Sequence, residues 1–187
     1  MPDLERRVPD GESVLTVTAS YDSRLKRMVR WTVQRDAVKI RVPHGVPRGD
    51  LPKLVDEIVE KVLKARARAR KQQDTDLQAR ARAINRKYFG GELSWHTVRW
   101  VNNMEKRLGS CTSGGATDGD IRLSERMRTW PDYVVDYVLA HELAHRKYPN
   151  HSKDFWDYLA RYPQMERARG FIEGIAFAEH GEADEML

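Results

Sequence analysis

The sequence predicts an α+β fold in which an antiparallel sheet packs with helices. Three patterns point to it. Between Ser13 and Val42 apolar side chains recur with period two, as in half-buried strands. From Leu51 they recur at intervals of three and four, as on one face of a helix. From Pro131 onward the chain reads as mostly helical.

Taken in order, residues 1–12 hold Pro2, Pro9 and Gly11 and read as a flexible leader. A single domain is expected over 13–187, with strands and helices at 13–89 and the half carrying the functional site at 90–187. Three short antiparallel strands are expected between Ser13 and Val42, broken by polar turns at 21–26 and 34–36. Pro43, Gly45, Pro47 and Gly49 stop the sheet. Asp50 can cap a helix whose stripe is Leu51, Leu54, Val55, Ile58, Val59, Val62 and Leu63. The Ala/Arg tract after it has high helix propensity but no stripe, so it is expected to face solvent. A second helix over 76–88 would bury Leu77, Ala81, Ile84 and Tyr88 and end at Gly90 and Gly91. Alternation at 98–102 and at Ile121 and Leu123 adds strands over about 97–124, around a Gly-rich loop at 113–120. Helices follow at 131–148, 152–161 and 164–180.

Composition excludes several classes. With 40% hydrophobic residues in 187, the chain can bury a sizeable core. No apolar run approaches the ~20 residues of a membrane-spanning helix, so no membrane partner is expected. The polar, acidic N-terminal stretch does not read as a signal peptide. One cysteine, Cys111, excludes an internal disulfide framework and a Cys-rich zinc module. These features suit a soluble protein of a reducing cytoplasm. The net charge of +5 is unevenly placed, since residues 64–87 are rich in Arg and Lys and carry only Asp74 and Asp76 as acids. That tract is either the solvated face of a helix or a footprint for a nucleotide, nucleic acid or other polyanion. No aromatic residue interleaves with its arginines, so base stacking has no support there.

The chemistry concentrates at His141, Glu142 and His145, an H-E-x-x-H segment. Four residues apart on a helix, two imidazoles project from one face and can reach one zinc ion at ~2.0–2.1 Å. Glu142 is rotated away from that pair and can act on a water without ligating the metal. Val134 and Val138 continue the histidine face, so it points inward. Pro149 ends the helix, and a chain turning there can bring His151 to the same metal. Three protein ligands leave a fourth position open, the pattern of a catalytic zinc, with one ion expected per chain. Two blander readings share the motif: histidines that only satisfy core hydrogen bonds, and a zinc site without activity. Neither explains Glu142.

The stretch from Tyr137 to Trp156 resembles the signature of the YgjP-like metallopeptidase domain family, of the zincin clan and similar to SprT-type and Spartan-type proteases. Upstream, Arg107 to Cys111, followed by Ile121 to Leu123, resembles the family's R-W-G-S-C segment and next strand, with Leu108 where the family carries Trp. The resemblance covers about residues 13–165 and is strongest over 107–156. It implies a zincin-like fold with the motif on a central helix, and a zinc-dependent metallopeptidase acting on a peptide or protein. His141, His145 and His151 match the family's ligands, and Glu142 its general base. Tyr148 occupies the position of the metzincin glycine, so that subgroup is not implied.

Two alternatives stay open. One is a zinc-dependent nucleoside triphosphate pyrophosphohydrolase, although no P-loop supports it. The other is a nucleic-acid-associated protease of the Spartan kind. Cys111 reads as packing rather than as a nucleophile. Asp154 and Asp157 follow His151 at helical spacings and read as solvated acids or as acceptors for an imidazole N–H. Tyr133, Tyr137 and Tyr148 read as packing near the motif, and Phe155, Trp156 and Leu159 as the core face of the next helix. His44, His96 and His180 have no partner spacing.

Overall fold

A computed structural model describes residues 2–11 and 13–180. Positions 1, 12 and 181–187, which the expected leader and domain include, lie outside the described residues, as does the side chain of His180. The class is α+β, as the patterns predict. The chain divides into two compact units, Met1–Arg70 and Lys71–Leu187, where the sequence predicts one domain over 13–187. Each unit has its own apolar cluster.

The first unit opens with β1 (Leu4–Asp10), so most of the expected leader is a strand. β2 (Ser13–Tyr21), β3 (Arg30–Val33) and β4 (Ala37–Val42) complete a sheet of order β1-β2-β4-β3. The sheet is mixed, not antiparallel: β1 and β3 run against their neighbours, but β2 and β4 are parallel. The stretch between β2 and β3 lets β3 lie outside β4, and β4 then returns alongside β2 in the same direction.

Leu15, Val17, Ala19, Val38, Ile40 and Val42 form the inner face. They bury against Leu51, Val55, Ile58, Val59 and Val62, the stripe of α1 (Leu51–Tyr88). α1 is one helix of 38 residues where two were predicted. Nothing interrupts it, because after Pro52 the segment holds only residues compatible with a helix and neither Pro nor Gly.

The Arg-rich tract has structural work in this unit. Arg66 Nε donates to Asp10 Oδ2 at 2.6 Å, and Arg70 binds the other oxygen. Asp10 is almost wholly buried. Burial pushes its carboxyl up, but the Arg70 hydrogen bond and the charges of both arginines outweigh this and hold it below its ordinary value.

In the second unit the later turns of α1 supply Leu77, Ala81 and Ile84 to the core. β5 (Thr97–Val101), β6 (Gly109–Cys111) and β7 (Asp120–Ser124) form a separate sheet of order β5-β7-β6. It too is mixed, with β5 parallel and β6 antiparallel to β7. The predicted single sheet spanning 13–42 and 97–124 is therefore two sheets. α2 (Asp132–Ala144), α3 (Lys153–Leu159) and α4 (Met165–His180) complete the unit. Val134, Val138 and Leu143 of α2 share a core with Ile121, Leu123, Phe155 and Leu159. No helix among the described residues is long and apolar enough to cross a membrane.

Candidate metal centre

α2 is specified at both ends. Pro131 precedes it, Asp132 sets negative charge against the positive end of the dipole, and Val134 N–H bonds to the Pro131 carbonyl. Arg80 clamps the first turns through Asp136 and Asp132. The helix stops at Ala144 rather than 148, with His145 as its C-cap. Arg146 and Lys147 donate to the Leu143 and Ala144 carbonyls, both at 3.0 Å, so the last turn tightens. The chain then bends through 149–150, and Ser152 caps α3 by accepting from Phe155 N–H.

This path brings all three predicted histidines together. His141 Nε2 lies 3.2 Å from His145 Nε2 and 2.9 Å from His151 Nε2. Among the described residues these three side chains are the group able to hold a metal ion. Their exposure rises from buried His141 to exposed His151, so the cluster opens outward on one side.

Three nitrogens this close cannot all be satisfied by each other. His145 Nδ1 lies 3.1 Å from the Tyr148 carbonyl, which only accepts, so Nδ1 carries the proton and Nε2 presents a lone pair. Burial, with the neighbouring His145 and His151, pushes His141 down to about 2, which keeps its ring neutral. Burial also lowers His145. Neutral imidazoles with converging lone pairs are the ligand form. A tetrahedral ion at ~2.0–2.1 Å from each would hold them roughly 3.3 Å apart, close to the two spacings measured from His141. The donor set fits a zinc ion.

α3 holds the rings in place. Phe155, fully buried, stacks on His145 at a centroid distance of 4.7 Å and meets His141 and His151 edge-on. Trp156 stacks on His151 at 5.5 Å. Phe155 and Trp156 belong to the core face expected of this helix, and their place four and five residues after His151 also sets them against the imidazoles. Asp157 pairs with Lys153, the Tyr148 carbonyl is the acceptor for His145 Nδ1, and the buried His141 Nδ1 has no hydrogen-bond partner among the described residues. Tyr137 meets His141 edge-on, and burial pushes its phenol up to about 12.

Glu142 is buried and lies against β6. A Cβ placed on Gly109 would stand 2.8 and 2.9 Å from Glu142 Cγ and Cδ, and closer still to Oε1. The strand thus approaches the carboxyl as only glycine allows. Burial pushes Glu142 up to about 8, with the charge of Arg107 pulling the other way. A cation held by the three imidazoles would also act toward the carboxylate form.

Arg146 is a residue the sequence did not single out. Its guanidinium binds both Asp118 oxygens, at 3.0 and 2.9 Å, and the Ser94 and Thr112 carbonyls. Asp118 in turn accepts from Gly114 N–H, and Arg146 holds its carboxyl down at about 2. The Gly-rich loop is thereby tied to the residue after His145. Cys111 is a partly buried free thiol whose pKa burial raises, away from the thiolate a nucleophile needs.

An α+β unit with three imidazoles converging at the end of a buried helix defines a candidate metalloenzyme centre. Residues 91–170 match the family described as YgjP-like, metallopeptidase domain. The match covers less than half of the chain and begins downstream of the N-terminal strands counted into the resemblance, so it is the second unit that is similar to a metallopeptidase domain. The solved structure of the metallopeptidase zymogen of Pyrococcus abyssi abylysin is 24% identical, covering 58% of this chain and 95% of its own, with a TM-score of 0.42. No curated protein matches the chain.

Proposed function

We propose that the chain is a zinc-dependent peptidase that uses Glu142 as its general base. The observation that supports this best is the convergence of the His141, His145 and His151 Nε2 atoms, with a buried Glu142 next in the chain to His141. The bound ion would supply Lewis-acid chemistry, lowering the pKa of water toward ~7 and polarising the scissile carbonyl. His141, His145 and His151 would hold it and leave one position open. Glu142 would accept the proton of the attacking water and deliver it to the leaving amine nitrogen. Gly109 would keep the carboxyl in one place through its close approach. Phe155 and Trp156 would fix the imidazole orientations.

A zincin-like arrangement of this unit and one ion per chain are part of the same proposal, as is a peptide or protein substrate. The single cysteine suits a reducing cytoplasm. The nucleotide reading takes support from the basic tract, and within that tract Arg66, Arg70 and Arg80 bind Asp10 and Asp136.

The test is Glu142→Gln, which keeps size and hydrogen bonding but removes basicity. Zinc content and melting temperature should match wild type while cleavage of a peptide library, read by mass spectrometry, falls at least ~10²-fold. Undiminished cleavage would assign the proton to another group. Loss of zinc in this variant would make Glu142 a structural support of the site.

A further inference from the structure

We propose that the outward face of the first sheet binds the phosphate backbone of a nucleic acid, through Arg7, Arg30, Lys39 and Arg41. The alternation that buries Leu15, Val17, Val38 and Ile40 turns the intervening residues to the opposite face. Strand register then sets them in rows. Arg7 is paired with Thr16, Thr18 with Lys39, Lys39 with Thr32, Ser20 with Arg41, and Arg41 with Arg30. All four cations are exposed. The acids nearby are Asp3, whose Oδ2 accepts from Tyr21 N–H, Glu5, paired with Thr18, and Asp22, 3.7 Å from an Arg41 side chain that is 67% exposed.

Two features point to an anionic occupant. Arg30 and Arg41 stand directly opposite each other across β3 and β4. Like charges so placed repel, and an anion between them removes the penalty. Arg7, Arg30 and Lys39 have no ion-pair partner among the described residues, in contrast to Arg66 and Arg70 of the basic tract.

The chemistry of the face selects phosphate over a protein. A protein interface needs an apolar, aromatic centre. Here the exposed Trp31 and Val33 are paired with the inward-facing Ile40 and Val38, so they lie on the other side, and the exposed apolar residues of the outward face are Val14 and its partner Pro9, with no aromatic among them. Between the cations the face presents the hydroxyls of Thr16, Thr18, Ser20 and Thr32. Guanidinium, ammonium and hydroxyl donors in rows suit phosphate oxygens and carry no base readout. Binding would be independent of sequence, and its strength would depend on salt.

The experiment is fluorescence anisotropy of the full chain with a mixed-sequence DNA duplex and, separately, a single-stranded oligouridine RNA. Poly-glutamate and phosphatidylserine vesicles serve as competitors. Four neutralised phosphates give a salt slope of about −3.6 on a duplex and about −2.8 on a single strand. Duplex affinity should thus fall roughly 10²-fold between 50 and 200 mM salt. The variant R7Q/R30Q/K39Q/R41Q should lose that slope and bind at least ~10²-fold more weakly at 50 mM, while R68Q/R82Q in the basic tract binds like wild type. Melting temperatures are read alongside, and if the quadruple variant melts early, K39Q/R41Q carries the test with half the loss of slope. The proposal is overturned if wild type binds neither nucleic acid at 50 mM salt, or if the sheet variants keep wild-type affinity. It is equally overturned if poly-glutamate or the vesicles compete as well as the duplex does.

Discussion

Gly109→Ala probes the contact between β6 and α2 with a single methyl group. The added Cβ would stand 2.8 and 2.9 Å from Glu142 Cγ and Cδ, whereas ordinary contact lies at 3.4–4 Å. The Glu142 side chain must therefore move on the order of 1 Å, a displacement that costs about 10²-fold when it falls on a catalytic group. An exposed carboxylate would swing aside freely into solvent, but Glu142 is 3% exposed and must move against its neighbours. Overpacking of this kind costs about 1–3 kcal/mol. At about 2–4 °C per kcal/mol for a chain of this length, the melting temperature should fall by roughly 2–12 °C. The nearest atoms to the new methyl all belong to Glu142, which is not among the proposed metal ligands, so zinc content should be unchanged. The assay is thermal melting, metal analysis and peptide-library cleavage on one preparation. A variant with wild-type melting temperature and wild-type cleavage would show that β6 does not position Glu142.

Other outcomes follow from the same contacts. Phe155→Ala removes the ring on which all three imidazoles rest, so it should cost about 3–5 kcal/mol in chemical denaturation. It should also weaken zinc roughly 10–100-fold in chelator competition, and unchanged affinity would free the histidines from α3. Asp10→Asn should cost about 1–3 kcal/mol, because Arg66 and Arg70 lose a buried carboxylate, and an unchanged urea midpoint would refute this. Asp10 also sets a pH dependence: its folded pKa is lowered, so its contribution is present above about pH 4 and is lost as pH falls through the folded value. Urea midpoints of wild type and Asp10→Asn should accordingly converge toward low pH, and a constant gap would exclude the linkage.

Much of the site is legible in the chain because local periodicity places it. The i, i+4 histidines require only a helix, and Pro149 supplies the bend that returns His151. The stripe from Leu51 to Val62 is equally local and is the face that packs on the first sheet. What escapes the sequence depends on partners distant in the chain. β1 carries Arg6 and Asp10 on its inward side, and these break the apolar alternation. They are tolerated because Asp56, Arg66 and Arg70 meet them from α1. The parallel pairing of β2 with β4 is set by where β3 lies, which no turn signal encodes. β6 has three residues, Gly109, Ser110 and Cys111, too few to show a period, yet it abuts the buried glutamate. The Arg-rich tract looked like surface charge because carboxylates some 56 to 60 positions away are invisible to composition.

The most direct measurement is zinc per chain, by elemental analysis, in wild type and His151→Ala after identical dialysis against a weak chelator. A three-histidine centre gives one zinc per wild-type chain. Without His151 only two imidazoles remain on the ion, and affinity should fall beyond the ~10²-fold that loss of a supporting contact alone can cost, leaving the variant largely empty. Full zinc occupancy in His151→Ala, or none in wild type purified without chelator and supplied with zinc, would contradict the metal centre on which the proposed function rests.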